Sequence, residues 1–292
     1  WIIAAMLGVG LITVVARWAP WRATPPRDAV RVEASIGADA SLAADQGPAV
    51  VPSPDGTLLA FVAQKGNGAA QVFVRRVDHL DAAALSGTEN ARNPFFSPDG
   101  QWIGFFADGK LKKISVSGGA AITLCDSPIG RGASWGGDGT IVFQPSNTGT
   151  GSNLGMVLLG VPAVGGQPHA VTTRQEGEAN ERWPQVLPGN RAVLYTAPQS
   201  AGSYADANVS VQTMSTHERK ILVRGGYFGR YVPSGHLLYL HDATMFAAPF
   251  DVDRLELTGP PVPVLERVTV NTTIGSGQFA VGDNGTLAYL TG

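Results

Sequence analysis

Residues Asn93–Asp126 read NPFFSPDGQWIGFFADGKLKKISVSGGAAITLCD, and this stretch decides the fold. Three turn signals, Pro98-Asp99-Gly100, Ala107-Asp108-Gly109 and Gly118-Gly119, cut it into four runs of strand length. Asp-Gly and Gly-Gly tolerate the positive φ of a tight hairpin, while Phe, Ile, Val and Trp suit a pleated, half-buried surface. The expected strands are Asn93–Ser97, Gln101–Phe106, Lys110–Val116 and Ala120–Leu124, which make one four-stranded antiparallel sheet.

The same phrase returns along the chain as SPDG-TLLAFVA from Ser53, SPDG-QWIGFFA from Ser97 and GGDG-TIVFQP from Gly136. It continues as PGN-RAVLYTA from Pro188, PSG-HLLYLHD from Pro233 and DNG-TLAYLTG from Asp283. The turn-closing residues Gly56, Gly100, Gly139, Asn190, Gly235 and Gly285 are spaced 39 to 51 residues apart. One such sheet cannot cover its own apolar faces, so repeats of this length stack around an axis as propeller blades. The expected fold is all-β, a β-propeller of four-stranded antiparallel blades over residues 49–292, with about six repeats visible. The sixth repeat holds only two of its four strands. Because an open blade exposes unpaired strand edge, further blades are expected beyond Gly292. The alternating segment Val30–Ile36 (VRVEASI) is expected to add an outer strand.

The opening residues have a different character. Trp1–Ala16 carries no charge, and as a helix it would be about 24 Å long, close to the hydrocarbon thickness of a bilayer. Arg17, Trp18, Trp21 and Arg22 follow, the composition of a helix end at a membrane interface. One transmembrane helix is therefore expected over residues 1–21, truncated at its start. Residues 22–48, rich in Ala, Pro and Asp, read as a juxtamembrane linker. Arg17, Arg22, Arg27 and Arg31 favour this flank inside, but large domains translocate regardless of such charges, so charge alone does not orient the chain.

Composition narrows the function classes. Charged residues make up 15% and the net charge is −2, which gives no drive toward nucleic acid. A single Cys125 excludes an internal disulfide and any Cys-based zinc site. Gly132-Ala133-Ser134-Trp135-Gly136 matches G-x-S-x-G, yet it opens an inner blade strand and no helix follows, so a structural role is expected. The histidines His79, His169, His217, His236 and His241 have no metal-ligand spacing. Asp55, Asp99, Asp108 and Asp138 sit in turns without a D-x-D-x-D-G loop, which points to Asx turns rather than calcium. No cofactor, metal or catalytic residue is assigned.

Aligning the repeats brings out one constellation. Eight positions before the turn-closing residue lie Arg92, Arg131 and Arg182 in three consecutive blades, and Pro48, Tyr227 and Gly277 in the others. That position begins each inner strand, on the face opposite the Asp-Gly turns. Three guanidiniums there would hold a carboxylate, a phosphate or an acidic peptide by forked hydrogen bonds. Asn93, Asn180 and Trp183 would add polar walls and an aromatic wall. The competing expectation is that each arginine pairs with a local acid such as Glu89, Asp126 or Glu181.

The stretch NPFFSPDGQWIGFFADGKLKKISVSGGAAITLCD with RGASWGGDGTIVF, and later RYVPSGHLLYL, MFAAPFDVDRLELTG and DNGTLAYL, resembles the WD-repeat-like propeller of the TolB type. More narrowly, it looks like the propeller that follows a membrane helix in bacterial receptor-type serine/threonine protein kinases. The resemblance covers residues 50–292 and implies a sensor or interaction module on the extracytoplasmic side of the inner membrane. Kinase activity would lie elsewhere, since this sequence has no Gly-rich loop with V-A-I-K, no HRD and no DFG. A TolB-like periplasmic scaffold, or the propeller of a prolyl-oligopeptidase-type hydrolase, are the alternatives.

Overall fold

A computed structural model describes residues 31–33, 35–146, 156–173, 180–198 and 203–292. The segment expected to span a membrane, residues 1–21, lies outside them. Among the described residues no helix is long and apolar enough to cross a membrane. Ile36–Gly292 form one compact unit, so the ring takes in residues 36–48, which the composition had placed in the linker.

Blade two is built as its sequence reads, from Arg92–Phe96, Trp102–Ala107, Lys110–Ser115 and Ile122–Asp126 in antiparallel order. Blade three follows with Ala133–Trp135, Thr140–Phe143, Leu159–Pro162 and His169–Ala170. Blade four comprises Arg182–Val186, Ala192–Ala197, Asn208–Thr213 and Arg219–Arg224. In blade five Tyr227–Val232, His236–His241 and Thr244–Asp251 are followed by an outer strand Val262–Leu265, with Glu256–Leu257 pairing on the far end of Thr244–Asp251. Blade one has Leu58–Gln64, Ala70–Arg76 and Ala83–Ala84, with two short strands sharing its inner edge, Val50–Pro52 and Ser41–Leu42. Of the segment expected to add an outer strand, the described residues 31–33, 35 and 36 are irregular, while Ser41–Leu42 pairs at the inner edge of blade one.

The blades stack because each apolar cluster is shared between neighbours. Ala60, Val62 and Val72 of blade one meet Ile103, Phe105 and Ile114 of blade two. Phe106, Leu111 and Leu124 of blade two meet Ile141, Phe143 and Val161 of blade three. Burying a Phe, Ile or Leu side chain contributes about 1.5–3 kcal/mol, so these seams dominate the stability of the ring.

The sixth unit is smaller: Val270–Asn271 pairs Ser276–Gly277, and Phe279–Val281 pairs Leu287–Tyr289. This unit packs directly against blade one, whose strand Val50–Pro52 contacts Phe279–Val281 and Leu287–Tyr289. Gln278 makes three hydrogen bonds across the seam. Its Oε1 accepts from the Ala49 amide at 2.9 Å, and its Nε2 donates to the carbonyls of Ala44 at 2.6 Å and Gly47 at 2.5 Å. On the turn side Asn284 donates to the carbonyls of Pro54 and Asp55. Five blades and this smaller unit of two strand pairs are described around the axis.

Candidate functional site at the arginine end of the ring

The two ends of the inner strands differ in chemistry. At the turn end the aspartates close their own turns, as Asx geometry requires. Asp99 Oδ1 accepts from Ser97 Oγ at 2.5 Å and the Gln101 amide at 3.0 Å, and Asp55 repeats the pattern with Ser53 and Thr57. Hydroxyl and amide donors hold both carboxyls below their ordinary range. Ser134 of the G-x-S-x-G match accepts from the Val186 amide at 2.9 Å, stitching blade three to blade four.

At the other end the inner strands of blades two, four and five open with a bulge. Asn93 (φ 49°), Trp183 (φ 57°) and Phe228 (φ 55°) all lie in the left-handed region, and the pairing register slips just there. Gly132 takes the same place in blade three at φ 89°. Asn and Gly tolerate that conformation; for Trp and Phe it costs about 1–3 kcal/mol and persists only where packing fixes it. The packing is an aromatic chain across blades four to six, Trp183 against Phe228 at 5.5 Å and Phe228 against Phe279 at 5.2 Å, both edge-on. A bulge re-aims the side chains beside it, and in blades two, three and four the residue beside this left-handed position is Arg92, Arg131 or Arg182.

The three arginines share one field. Burial pushes the Arg131 guanidinium down to about 10, and the charges of Arg182 and Arg92 push in the same direction. Arg131 Nη1 donates to Gln46 Oε1 at 2.7 Å, while its buried Nε has no partner. Arg182 stacks its guanidinium on the Tyr204 ring at 4.1 Å, and both Nε and Nη1 are buried without an acceptor. Its pKa is also lowered, by burial first, with Tyr204 acting in the opposite sense. Arg92 is half-buried at the start of its strand.

The local acids are engaged elsewhere. Glu89 accepts from Gln71 Nε2 and the Gly87 amide, Asp126 pairs with Lys110, and Glu181, only 1% exposed, accepts from Thr172 Oγ1 and the Leu158 amide. Asp108, whose charge reaches Arg92, is bound by Lys112 and Asn90. Among the described residues no carboxylate pairs with Arg92, Arg131 or Arg182.

The remaining residues expected at this site fall one layer further in. Asn93 is buried, donates to the Gly130 carbonyl at 3.3 Å and leaves Oδ1 without a partner. Trp183 is 1% exposed and donates Nε1–H to the Ile274 carbonyl, so its ring is part of the core beneath the site. Asn180 contributes through its carbonyl, which accepts the Tyr204 hydroxyl at 2.8 Å. Burial pushes that phenol up to about 12, with Arg182 and Arg131 pulling it back.

Two components have no signature in the sequence. One is Tyr204, delivered from an irregular loop. The other is the strap Ala44–Pro48, which reaches units six, three, two and four. It is bonded to Gln278 and Asn271, Gln46 meets Arg131, and Gly47 lies against Asn93 and Trp183. A segment touching those units crosses the axis. Gly47 is obligatory: its φ is 135°, and a Cβ would stand 2.2 Å from Asn93 Oδ1 and 2.7 Å from the Trp183 ring.

The comparisons agree with this architecture. A TolB-type protein of Agrobacterium tumefaciens superposes with a TM-score of 0.62 at 13% identity, over 84% of this chain and 90% of that one. TolB from Acinetobacter baumannii gives 0.58 at 14% identity, over 81% of this chain and 57% of that one, so the chain spans little more than half of that protein. The Cps50 (Swd1) propeller domain of Myceliophteria thermophila gives 0.54 at 12% identity, over 74% of this chain and 72% of that one. The chain has a TolB-type, WD-repeat-like β-propeller fold. No family model and no curated relative matches the chain. Identities this low carry the fold alone, and the chemistry of the TolB-type ring described here rests on its own residues.

Proposed function

We propose that this propeller is a binding module that captures an anionic group, a carboxylate, a phosphate or an acidic peptide, at its arginine end. One observation carries the reading: Arg182 and Arg131 together leave three buried guanidinium donor atoms without an acceptor. Leaving a buried donor unpaired costs about 1–3 kcal/mol, more for a charged group. Keeping like charges adjacent adds to that cost. An anion repays both, and a bidentate acceptor suits the guanidinium fork. Gln46 Oε1 already occupies one donor of Arg131 as a neutral stand-in for a carboxylate oxygen.

The setting we infer is the extracytoplasmic, periplasmic side of an inner membrane, as the sensor part of a membrane-bound bacterial serine/threonine protein kinase. The charge-free stretch Trp1–Ala16, the Arg/Trp flank after it and the resemblance of residues 50–292 support that setting. The TolB neighbours equally support a protein-binding scaffold with no enzyme attached. A kinase catalytic loop encoded ahead of Trp1 would favour the first reading, and protease accessibility in intact cells reports the side of the membrane.

Binding is tested by titrating inorganic phosphate and a poly-Glu peptide into the full chain, following heat and melting temperature. A ligand at 100 times its Kd stabilises by about 2.7 kcal/mol, a readily measured shift. The triple variant Arg92→Ala, Arg131→Ala, Arg182→Ala is expected to remain folded and lose the shift. Retention of binding by the folded triple variant would sink the proposal.

A further inference from the structure

The opposite end of the axis holds a second, separate cavity. It has a volume of about 480 Å³ and opens between the turns of all six units, from Pro54 and Pro98 round to Gly282 and Asp283. Inward it ends among Asn93, Gly132, Trp183 and Arg230, with Pro48 of the strap on its wall. Prolines and aromatic rings, Trp135 and Tyr231 among them, recur around its wall. Among the described residues lining the cavity two carry charge, Arg230 deep inside and Asp283 in the turn at the mouth.

Arg230 is held in one pose. Its Nη1 donates to the carbonyls of Trp183 at 2.9 Å and Gly229 at 2.8 Å, and its guanidinium lies over the Phe228 ring at 4.2 Å. These contacts use the donors on one side of the guanidinium. The other edge, Nε and Nη2, has no partner among the described residues, and neither atom is sealed from solvent. That edge is the one that binds a carboxylate through two parallel hydrogen bonds. The surroundings have withdrawn water from the charge, and burial pushes it down to about 10. Among the described residues no carboxylate repays that desolvation, and Asp283, whose carboxyl is raised by burial, has no cation beside it.

We propose that the axial cavity is a binding site for a small monocarboxylate with an apolar or aromatic body, anchored through the free Nε/Nη2 edge of Arg230. The guanidinium is pre-oriented by two carbonyls and a ring, so little freedom is lost when it binds. Proline and aromatic walls accept the apolar body of the ligand. Asp283 at the mouth disfavours a second negative charge on the ligand, which separates this site from the arginine end with its three cations.

The test is calorimetric titration of the full chain with 3-phenylpropionate and with its amide, 3-phenylpropanamide, which has the same shape without the charge. The acid is expected to bind saturably with a Kd of about 1 mM or tighter, and the amide at least about tenfold more weakly. R230Q should abolish the preference for the acid. D283N should keep the preference or strengthen it about two- to threefold. Because the arginine end also takes carboxylates, R230Q and D283N are compared in the triple arginine variant of that end, which should keep the acid-over-amide preference of the axial cavity, so the two sites fail independently. Equal binding of acid and amide overturns the proposal, as does no saturable binding of the acid or an intact preference in folded R230Q. If R230Q does not fold, the ratio of acid to amide on the triple arginine variant with and without D283N decides the matter.

Discussion

The two ends of the inner strands carry the same repeat and opposite chemistry. At the turn end Ser97, Asp99 and Gln101 satisfy one another within five residues, and blade one repeats the arrangement with Ser53, Asp55 and Thr57. At the arginine end Arg131 and Arg182 are satisfied only in part, and what satisfies them comes from Gln46 and Tyr204, far away in sequence. A local motif closes its own hydrogen bonds. A residue repeated at the start of three blades is left to whatever the neighbouring blades and the strap provide, and surplus donors there are available to a ligand. Repetition of a motif is thus a poor guide to function in this ring, while repetition with unpaired polar atoms is a better one.

The comparison is broken most forcefully through the aromatic chain beneath the arginines. Trp183→Ala removes a fully enclosed side chain that holds a strained backbone, touches Gly47 and donates to Ile274. It is expected to cost about 3–5 kcal/mol in denaturant unfolding. Anion binding should weaken with it, whereas the Asp-Gly turns at the other end should be indifferent.

Arg182→Met tests whether the surplus charge is a burden in the free protein. Methionine keeps an apolar contact with Tyr204 and removes the unpaired donors. The melting temperature should rise, by the equivalent of about 1–3 kcal/mol, while anion binding falls. A destabilised variant would mean that Arg182 is already well satisfied.

Gln46→Glu sharpens the contrast from the strap side. A carboxylate would replace the neutral amide oxygen that Arg131 now holds, and hydrogen bonds to charged groups contribute about 1.5–3 kcal/mol. Half-exposed surroundings reduce this to about 1 kcal/mol of added stability. The same variant should bind phosphate more weakly, because an internal anion competes, and thermal melts with and without phosphate measure both effects.

The smallest effect belongs to the turn end. Donors hold Asp55 and Asp99 below their ordinary pKa, so their contribution is complete above about pH 4 and is lost as the pH falls through the depressed folded values. Asp99→Asn keeps the acceptor for the Gln101 amide and removes the charge. Its stability should differ from the parent by less than about 1 kcal/mol at pH 7, and the difference should narrow below pH 4. Melts at pH 3 and pH 7 check the sign.

Much of the ring was legible in advance because its signals are local. Strand limits in blade two came within two residues of those observed, since Pro98-Asp99-Gly100 and Ala107-Asp108-Gly109 dictate backbone geometry by themselves. The common register of Arg92, Arg131 and Arg182 followed from counting back from the turns. The strap was not legible: Ala44–Pro48 has the composition of a linker, and its role depends on Gln278, more than two hundred residues away. Trp183 read as the aromatic wall of the site, but the left-handed bulge carries it into the core instead. Arg230 drew no notice, being alone in its repeat, and its interest arises from which of its edges is occupied.

By itself, then, the amino-acid sequence determined the blade, its turns, the number of repeats and the alignment of three arginines, because hairpin geometry and strand alternation act over a few residues. Only the tertiary structure decided that the sixth unit meets the first, that a strap crosses the axis and that nearby acids turn away from the arginines. Those outcomes depend on contacts between residues remote in the chain, where a hydrogen-bond partner is chosen by how the ring closes rather than by what lies next in sequence.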